Sequence, residues 1–453
     1  MKIQFLGAAD TVTGSRHLVS SDDGRQLLLD CGLFQGYKAL RERNWAPFPV
    51  PAASLDAVLL SHAHLDHSGY LPALVSQGFK GPIVTSAATR DLCEVLLMDS
   101  AHLQEEDARR ANRQGSSRHD KALPLYTRRD VDKTLRQFVV PRDGRWRMGE
   151  TEAQFSPVGH LLGACAITLR SGGRSLVFSG DLGRQHDLLM PPPQRLAEAD
   201  VLLIESTYGN RNHPAEDVQQ RLAQLLRETL ARGGSLLLPS FAVGRAQALL
   251  LLLQRLRRSG ELPMSVPILL DSPMAREATA ILQQHRRLLS ISAAEAATLC
   301  DEVRLISKPA DSLRNARLAA KRPCVVISAS GMATGGRVLN YIETLAPEAR
   351  HHIVFPGFQV GGSRGAKMVA GEREVKLHGR YIPVNAQVSH LQSISGHADQ
   401  HELMQWMRGF QRAPQQVFVV HGEPAASDAL RSRIQDELGW AVRVPQQGET
   451  VAL

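Results

Sequence analysis

Three histidines and an aspartate lie within six positions of the segment "SHAHLDHSG": His62, His64, Asp66 and His67. Imidazole nitrogens and carboxylate oxygens are common ligands of divalent metal ions. The segment follows "DAVLL", an apolar run that predicts a short buried strand. A helix would point His62 and His64 in different directions, because they are only two positions apart. The sequence therefore predicts a loop at a strand end and, in that loop, a metal site.

Three further residues of ligand type also end apolar strands. His160 closes "FSPVGH", Asp181 closes "SLVFSGD" and His421 closes "QVFVVH". A single histidine at such a position is usually structural. The same chemistry at four strand ends favours one shared site, because loops held by a rigid scaffold carry functional residues.

The combined set contains more candidate ligands than one ion needs. Five histidines and two aspartates exceed the four ligands of a tetrahedral zinc, so two ions are expected. A carboxylate can bridge two ions through its two oxygens, and Asp181 is the expected bridge. Imidazole-rich sets favour Zn²⁺, whereas Mg²⁺ and Ca²⁺ prefer oxygen ligands. We therefore predict two Zn²⁺ per chain and keep manganese as an alternative.

The composition excludes several other classes of protein. The chain has 453 residues, 43% of them hydrophobic and 22% charged, which is typical of a globular protein of two domains. Its five cysteines are scattered without a CxxC pair, which argues against a disulfide framework and a thiolate metal site. The sequence contains neither an apolar run long enough to span a membrane nor an N-terminal signal layout. We therefore expect a cytoplasmic protein with no membrane partner.

The net charge of +8 is unevenly distributed. Between Arg109 and Arg147 there are 12 Lys or Arg and 4 Asp or Glu, and the rest of the chain is balanced. Such a stretch could be an ordinary solvated helical surface. It could also attract a polyanion such as nucleic acid.

The pattern of predicted strands, loops and helices changes twice along the chain. Up to about residue 210, short apolar strands alternate with loops, and helices are expected at 87–113 and 128–137. Strands, small-residue loops and longer helices then alternate, as in "SLLLPS" and "PILLDS", which predicts a parallel sheet flanked by helices. The last sixty or so residues return to the first style. One domain inserted into another explains that return.

The metal motif resembles that of a known superfamily. "SHAHLDHSG", taken with Asp30 in "LLLDCG", His160 and Asp181, resembles the HxHxDH motif of the metallo-β-lactamase fold. The resemblance implies an αββα sandwich with a zinc site of two ions bridged by Asp181. Asp30 would orient a ligand rather than bind metal. The implied ligands are His62, His64 and His160 for the first zinc, and Asp66, His67 and His421 for the second.

Three further motifs narrow the resemblance. Glu205 in "ESTYG", His397 in "SISGHAD" and His421 in "VVHGE" resemble motifs A, B and C of the β-CASP nucleic-acid-processing nucleases. The likeness covers essentially the whole chain, especially to short bacterial ribonucleases and to the endonuclease subunit of the pre-mRNA 3′-end cleavage factor. It implies a metallo-β-lactamase domain at 1–207 and 393–453 and an inserted β-CASP domain at 208–392. A histidine at motif C goes with RNA substrates in this family.

The resemblance implies a zinc-dependent ribonuclease that hydrolyses RNA phosphodiester bonds by a two-metal hydroxide mechanism, in RNA processing or decay. Cleavage would be endonucleolytic, with 5′-exonucleolytic cleavage as a further mode. Asp66, His397 and Glu205 are the expected catalytic residues, His397 acting as the general acid beside Glu205. Alternatively, His397 only caps the helix that follows it. His390 is a second candidate position, and ten other histidines, including His17, are expected mostly at the surface or in loops.

Gly-rich loops after predicted strands supply the expected contacts to single-stranded RNA, and a homodimer is a candidate assembly. A DNA nuclease, a small-molecule hydrolase of the same fold and a non-catalytic RNA-binding scaffold are the alternative functions. The expected phosphate-binding residues are Arg245, Ser330, Arg337, Ser363 and Arg364.

Overall fold

The structure is a computed structural model that describes residues 1–115, 120–357 and 359–453. The chain divides into two units. The metal-motif unit comprises Met1–Asn212 and His397–Leu453, and the inserted unit comprises His213–Gly396. One arginine of the basic stretch, Arg118, lies outside the described residues.

In the described part of the chain, the metal-motif unit is built on two seven-stranded sheets. The strands of the first sheet, in spatial order, are Thr450–Ala452, Lys2–Phe5, His17–Ser20, Gln26–Leu29, Ala57–Leu59, Ile83–Val84 and Phe138–Val139. The strands of the second sheet are Val442–Arg443, Gln416–Val420, Val201–Glu205, Arg174–Phe178, Cys165–Ser171, Thr151–Pro157 and Arg145–Met148.

Alternate side chains of the two sheets form one buried core. Phe5 and Leu59 from the first sheet and Ile167, Leu203 and Phe418 from the second belong to the same fully buried cluster. This is the arrangement expected when two sheets pack face to face. The helical segments of this unit are Lys38–Glu42, Ala52–Ser54, Leu65–Ser68, Leu71–Ser76, Ala87–Gln114, Arg128–Leu135, Gln400–Met407 and Pro424–Leu438.

The inserted unit contains a parallel sheet, six-stranded within the described residues. Its strands, in spatial order, are Val303–Leu305, Ile268–Asp271, Val325–Ser328, Leu236–Pro239, His352–Pro356 and Gln387–Leu391. A hairpin is formed by Glu374–Leu377 and Arg380–Pro383. The helical segments are Val218–Ala231, Arg245–Arg258, Pro273–Gln284, Arg286–Leu288, Ala293–Ala297, Pro309–Ala319, Val338–Leu345 and Arg364–Val369. The predicted parallel sheet flanked by helices is confirmed, and so is the predicted fold class.

Parallel pairing brings the predicted site residues to common sheet edges. Gln26–Leu29 pairs in parallel with Ala57–Leu59, so Asp30 and the metal motif leave the first sheet at the same edge. In the second sheet, Arg174–Phe178, Val201–Glu205 and Gln416–Val420 are parallel neighbours. Asp181, Glu205 and His421 therefore follow or end adjacent strands. Residues more than 200 positions apart meet because neighbouring parallel strands end together.

One local expectation was wrong. The metal motif is not loop throughout, because Leu65–Ser68 forms one helical turn that carries Asp66 and His67. His17 is an exception among the histidines expected mostly at the surface or in loops, because it is fully buried in the strand His17–Ser20, between the rings of Phe5 and Phe178. His351 and His352 are also buried, in the inserted unit.

Candidate metal centre

Three histidine nitrogens and one carboxylate oxygen converge in a first cluster. His64 Nδ1 lies 3.1 Å from His62 Nε2 and 3.2 Å from His160 Nε2. Asp181 Oδ2 lies 3.4 Å from His62 Nε2 and 3.5 Å from His160 Nε2. Two imidazoles alone could share a hydrogen bond, but four atoms gathered around one point are typical of a metal-ligand set.

A second cluster lies on the other side of Asp181. His67 Nε2 is 3.0 Å from His421 Nε2, and Asp66 Oδ2 is 3.5 Å from the same His421 nitrogen. Asp181 Oδ1 is 3.3 Å from His67 Nε2. The two oxygens of Asp181 thus face different clusters, which is the geometry of a bridging carboxylate.

The distances fit a pair of zinc ions. Two nitrogens on one tetrahedral zinc lie about 3.3 Å apart at the usual Zn–N length of about 2.0–2.1 Å. The nitrogen pairs in the two clusters, at 3.0–3.2 Å, are close to that value. The donor set holds no thiolate, and the described cysteines are all free.

Hydrogen bonds behind the clusters fix which nitrogen of each ring faces inward. Ser61 Oγ donates to Asp30 Oδ2 at 2.9 Å, so the Ser61 oxygen can accept from His62 Nδ1 at 3.1 Å. His62 Nε2 then carries a lone pair directed at the first cluster. Asp30 Oδ2 likewise lies 2.6 Å from His67 Nδ1, which leaves His67 Nε2 as the ligand nitrogen of the second.

Burial and neighbouring charges set the protonation of the candidate ligands. Burial lowers the pKa of His64 to about 4 and that of His62 well below its usual value, so both are neutral and ready to bind metal. Burial also acts on His67, but the carboxylates of Asp181 and Asp30 outweigh it and hold its pKa well above the usual range. Although burial opposes it, the nearby histidines hold the pKa of Asp66 at about 2.

His397 and Glu205 form a pair beside the first cluster. His397 Nδ1 lies 3.3 Å from Glu205 Oε1, and the His397 ring centroid is 4.3 Å from that of His160. Glu205 is fully buried and accepts backbone hydrogen bonds from Leu182 and Thr207. Burial lowers the pKa of His397, but the charges of Glu205 and Asp181 raise it above its usual value.

The alternative role for His397 does not match the structure. The helix Gln400–Met407 is capped by Asp399, whose side chain accepts from the Glu402 amide in a capping box. His397 therefore is not the cap. His390, the second candidate position, is bonded within the inserted unit, with Nε2 2.7 Å from the Gly357 carbonyl.

The expected phosphate-binding residues all lie in the inserted unit, and several already have structural partners. Arg337 donates to Asp271 and to the carbonyls of Ile306 and Ser307. Arg364 donates to the carbonyls of Lys376, Ala333 and Thr334. These bonds tie loops together and give both arginines a structural role, while the phosphate contact predicted for them stays a prediction.

The other three residues expected to bind phosphate occupy different kinds of structural position. Ser363 is the N-cap of the helix Arg364–Val369, and Ser330 Oγ accepts from the Thr334 amide at 3.2 Å. Arg245 begins the helix Arg245–Arg258 and is half-buried. Its guanidinium lies so close to Gly357 that a Cβ at that position would be 1.6 Å from Nη1. A phosphate role for these three residues stays a prediction.

Sequence reasoning missed the polar residues that support the ligands. Ser61 bonds both Asp30 and His62, Ser15 Oγ donates to Asp30 at 3.2 Å, and Thr207 Oγ1 lies 3.3 Å from His421 Nδ1. A signal was present for two of them, since Ser61 immediately precedes His62 and Thr207 follows Glu205 in "ESTYG". Ser15 gives no such signal, because only the fold brings it to Asp30.

Family models match most of the chain. The metallo-β-lactamase superfamily model matches residues 15–232, and the Beta-Casp domain model matches residues 246–368. A third model, the Zn-dependent metallo-hydrolase RNA specificity domain, matches residues 381–445. That last segment contains both His397 and His421.

Curated relatives align along the full length. Ribonuclease TTHA0252 of Thermus thermophilus is 37% identical over 460 residues, covering 100% of both chains. Transcription termination factor FttA of Pyrococcus abyssi is 31% identical, covering 100% of this chain and 71% of that protein. A solved structure from Enterococcus faecalis, described as a protein of unknown function, matches with a TM-score of 0.55 at 16% identity, over 100% of this chain and 99% of that one. That last likeness supports the fold alone.

The double sheet and its histidine-rich edge define a metallo-hydrolase of the metallo-β-lactamase fold. Within that class, the chain belongs to the β-CASP family of RNA-processing nucleases. The family resemblance of the sequence motifs is thereby confirmed. No helix in the described ranges has the length and apolar character needed to cross a membrane.

Proposed function

We propose that the chain is a zinc-dependent ribonuclease that hydrolyses phosphodiester bonds of single-stranded RNA at a two-metal centre. The observation that carries this proposal is the position of Asp181, whose two oxygens face two separate groups of candidate ligands. The seven candidate ligands of the proposed centre are His62, His64, Asp66, His67, His160, Asp181 and His421.

The residues of the chain have separable tasks. Two divalent ions held by these ligands would supply Lewis acidity, which would activate a water for attack on phosphorus and offset charge on the phosphoryl oxygens. Asp181 holds the two ligand groups together, and Asp66 completes the second of them. Asp30 and Ser61 keep the ligating imidazoles in the required tautomers.

His397 is the proposed general acid. The leaving O3′ is a strongly basic alkoxide, so it needs a proton as the P–O bond breaks. With its Nδ1 directed at Glu205, the His397 ring would donate that proton from Nε2. Glu205 acts as a positioning residue, since its two backbone hydrogen bonds fix the carboxylate against which the ring is held.

RNA is the proposed substrate on two grounds. The segment with His397 and His421 matches a domain model described as an RNA specificity domain, and the full-length relative from Thermus thermophilus is named a ribonuclease. We propose endonucleolytic cleavage that leaves a 5′-phosphate and a 3′-hydroxyl, with 5′-exonucleolytic trimming as a second mode.

Labelled RNA tests the proposal directly. A single-stranded RNA with either a 5′ or an internal label should be cleaved by the purified protein and spared when a chelator is added. Internal fragments indicate endonucleolytic cleavage, and release of 5′ mononucleotides indicates exonucleolytic cleavage. A matched DNA strand tests the alternative DNA nuclease. Chelator-insensitive cleavage, or cleavage of DNA alone, would reject the proposal.

A further inference from the structure

Two large aromatic side chains are exposed in one short loop of the metal-motif unit. Tyr37 is 64% and Trp45 is 61% exposed. Only 5% of the chain is aromatic, and tryptophan is usually mostly buried. We call residues 34–51 the aromatic loop.

Hydrogen bonds and buried packing fix the base of the aromatic loop, from which the two exposed side chains extend. Asn44 closes the loop on Phe34 with two hydrogen bonds, from its Nδ2 to the Phe34 carbonyl at 2.8 Å and from the Phe34 amide to its Oδ1 at 2.9 Å. Arg16 is buried beneath, with its guanidinium 4.0 Å from the Tyr70 ring centroid and 5.0 Å from that of Phe34. The aromatic side chains therefore project from a fixed support.

The same base is bonded to the turn that carries Asp66 and His67. The Leu33 amide donates to the Leu65 carbonyl at 2.8 Å, and the Cys31 amide donates to the His67 carbonyl at 2.7 Å. Gly32 packs so tightly that a Cβ there would lie 1.6 Å from the Asp66 carbonyl oxygen. Arg16 completes the link by donating to the Gly32 carbonyl at 2.8 Å. The aromatic loop thus leaves the sheet at the edge where the candidate metal centre lies.

Positive charge accompanies the aromatic side chains. Between Tyr37 and Trp45 the loop has three basic residues and one acid. Glu42 lies 3.6 Å from Lys38, whereas neither Arg41 nor Arg43 has a carboxylate partner among the described residues. Both arginines are exposed. The Arg43 guanidinium lies over the Phe34 ring, 5.4 Å from its centroid. Aromatic rings beside cations that lack a carboxylate partner are the combination that binds single-stranded nucleic acid, through base stacking and phosphate contacts.

We propose that the aromatic loop is a binding site for the strand that flanks the scissile phosphate. Tyr37 and Trp45 stack on unpaired bases, and Arg41 and Arg43 contact the backbone. Stacking on either ring does not depend on base identity, so the loop contributes affinity without sequence preference. This inference rests on the proposed function, because the occupant is the RNA substrate of the same centre.

The test compares binding of two 15-mers by the metal-loaded protein. One is oligouridine with phosphorothioate linkages that slow cleavage, and the other is the corresponding abasic sugar-phosphate strand. Tyr37→Ala/Trp45→Ala should weaken oligouridine binding by at least about fivefold, the lower limit for losing one stacked base. Binding of the abasic strand should change little. Trp45→Phe should largely restore the affinity that Trp45→Ala loses, because it retains a ring.

Two controls separate the site from general effects. Tyr381 is 62% exposed in the inserted unit, so Tyr381→Ala removes an equally exposed ring and should leave binding unchanged. Arg41→Ala/Arg43→Ala should weaken binding of both strands and flatten the salt dependence by about 1.4 in log–log slope. Zinc content and melting temperature should stay at the wild-type values in every variant.

The outcomes distinguish this inference from the proposed function. Suppose that the wild type cleaves RNA in a chelator-sensitive way and that Tyr37→Ala/Trp45→Ala binds oligouridine with unchanged affinity. The inference that the aromatic loop binds RNA is then wrong, and the proposed function stands. Absence of RNA cleavage by the wild type overturns the proposed function. If the double variant converts a dimer to a monomer and keeps its RNA affinity, the loop is an interface between copies and the inference is wrong.

Discussion

Asp30 Oδ2 lies 2.6 Å from His67 Nδ1, and both side chains are buried. The same carboxylate accepts hydrogen bonds from the Ser61 amide and hydroxyl. One residue outside the candidate ligand set therefore orients His67 directly and His62 through Ser61. A substitution at Asp30 should therefore affect ligands of both clusters.

Asp30→Asn should weaken metal binding without removing a ligand. An amide cannot accept from His67 and Ser61 with the strength of a carboxylate, so the ligand tautomers lose their support. We expect a loss of about 10- to 100-fold in metal affinity, measured by competition with a chromophoric chelator. Ser15→Ala, which removes a longer contact to the same carboxylate, should have a smaller effect. Equal affinities for wild type and Asp30→Asn would contradict this assignment.

Asp181→Ala should remove more metal than any other single ligand substitution. Its two oxygens serve both clusters, whereas His160 serves only the first. Elemental analysis should give a metal content near two per chain for wild type, near one for His160→Ala and well below one for Asp181→Ala. His102→Ala, at an exposed histidine, is the matched control and should keep the wild-type content. One tightly held ion in Asp181→Ala would refute the bridge.

His397→Ala should separate proton donation from metal binding. Loss of the general acid should slow RNA cleavage by about 10²- to 10⁴-fold. Hydrolysis of bis(p-nitrophenyl) phosphate should largely survive, because its leaving group needs no proton. Glu205→Gln should show the same pattern more weakly, since it only positions the ring.

The control for this prediction is His401→Ala, at an exposed histidine four residues away. It should retain both activities and the full metal content. If His397→Ala loses metal, or loses both activities equally, His397 is a ligand or a structural residue.

Arg337→Ala should destabilise the inserted unit. Asp271 is fully buried and accepts from Arg337 Nη1 at 2.9 Å and from Tyr341 at 2.9 Å. Removing the arginine leaves a buried carboxylate without its cation, at a cost of about 3 kcal/mol. Urea unfolding measures the loss, and Arg304→Ala, at an exposed arginine of the same unit, should change little. Unchanged stability with a smaller salt dependence of RNA binding would instead support the predicted phosphate role.

His352→Gln should change how stability depends on pH. Burial, followed by nearby Arg232, lowers the pKa of His352 to about 4. Below pH about 6.5 the unfolded chain binds a proton at this histidine that the folded chain excludes. The free energy of unfolding is therefore highest above pH about 6.5 and falls as the pH drops toward 4. In metal-free protein, the variant should lose less stability than wild type between pH 6.5 and 4.5. His378→Gln, at an exposed histidine, should follow the wild-type slope; an identical slope in His352→Gln would contradict the prediction.

The sequence by itself determined the chemical types of the site and their places at strand ends. A run of apolar residues predicts a strand from the local sequence alone, and the histidine or aspartate that follows the strand can be identified without knowledge of the fold. That information was sufficient to propose the candidate ligands, whereas Asp30, His397 and Glu205 were proposed from the resemblance to the metallo-β-lactamase and β-CASP motifs. It was also sufficient for the helix predicted at 87–113, which the structure has at Ala87–Gln114.

Only the tertiary structure decided how those groups face one another. The inward nitrogen differs between His64, which uses Nδ1, and His62, which uses Nε2 because its Nδ1 is bonded to Ser61. Arg337 lies in a Gly-rich loop that predicts a phosphate ligand, and only the fold shows that it also bonds buried Asp271, 66 positions away.

The burial of His17 and the exposure of Trp45 likewise follow from packing and not from residue type. Which face of a strand is covered, and which loop closes on which neighbour, depends on contacts between segments far apart in sequence. A local pattern holds no record of those contacts, so side-chain orientation and solvent exposure could be decided only by the folded chain.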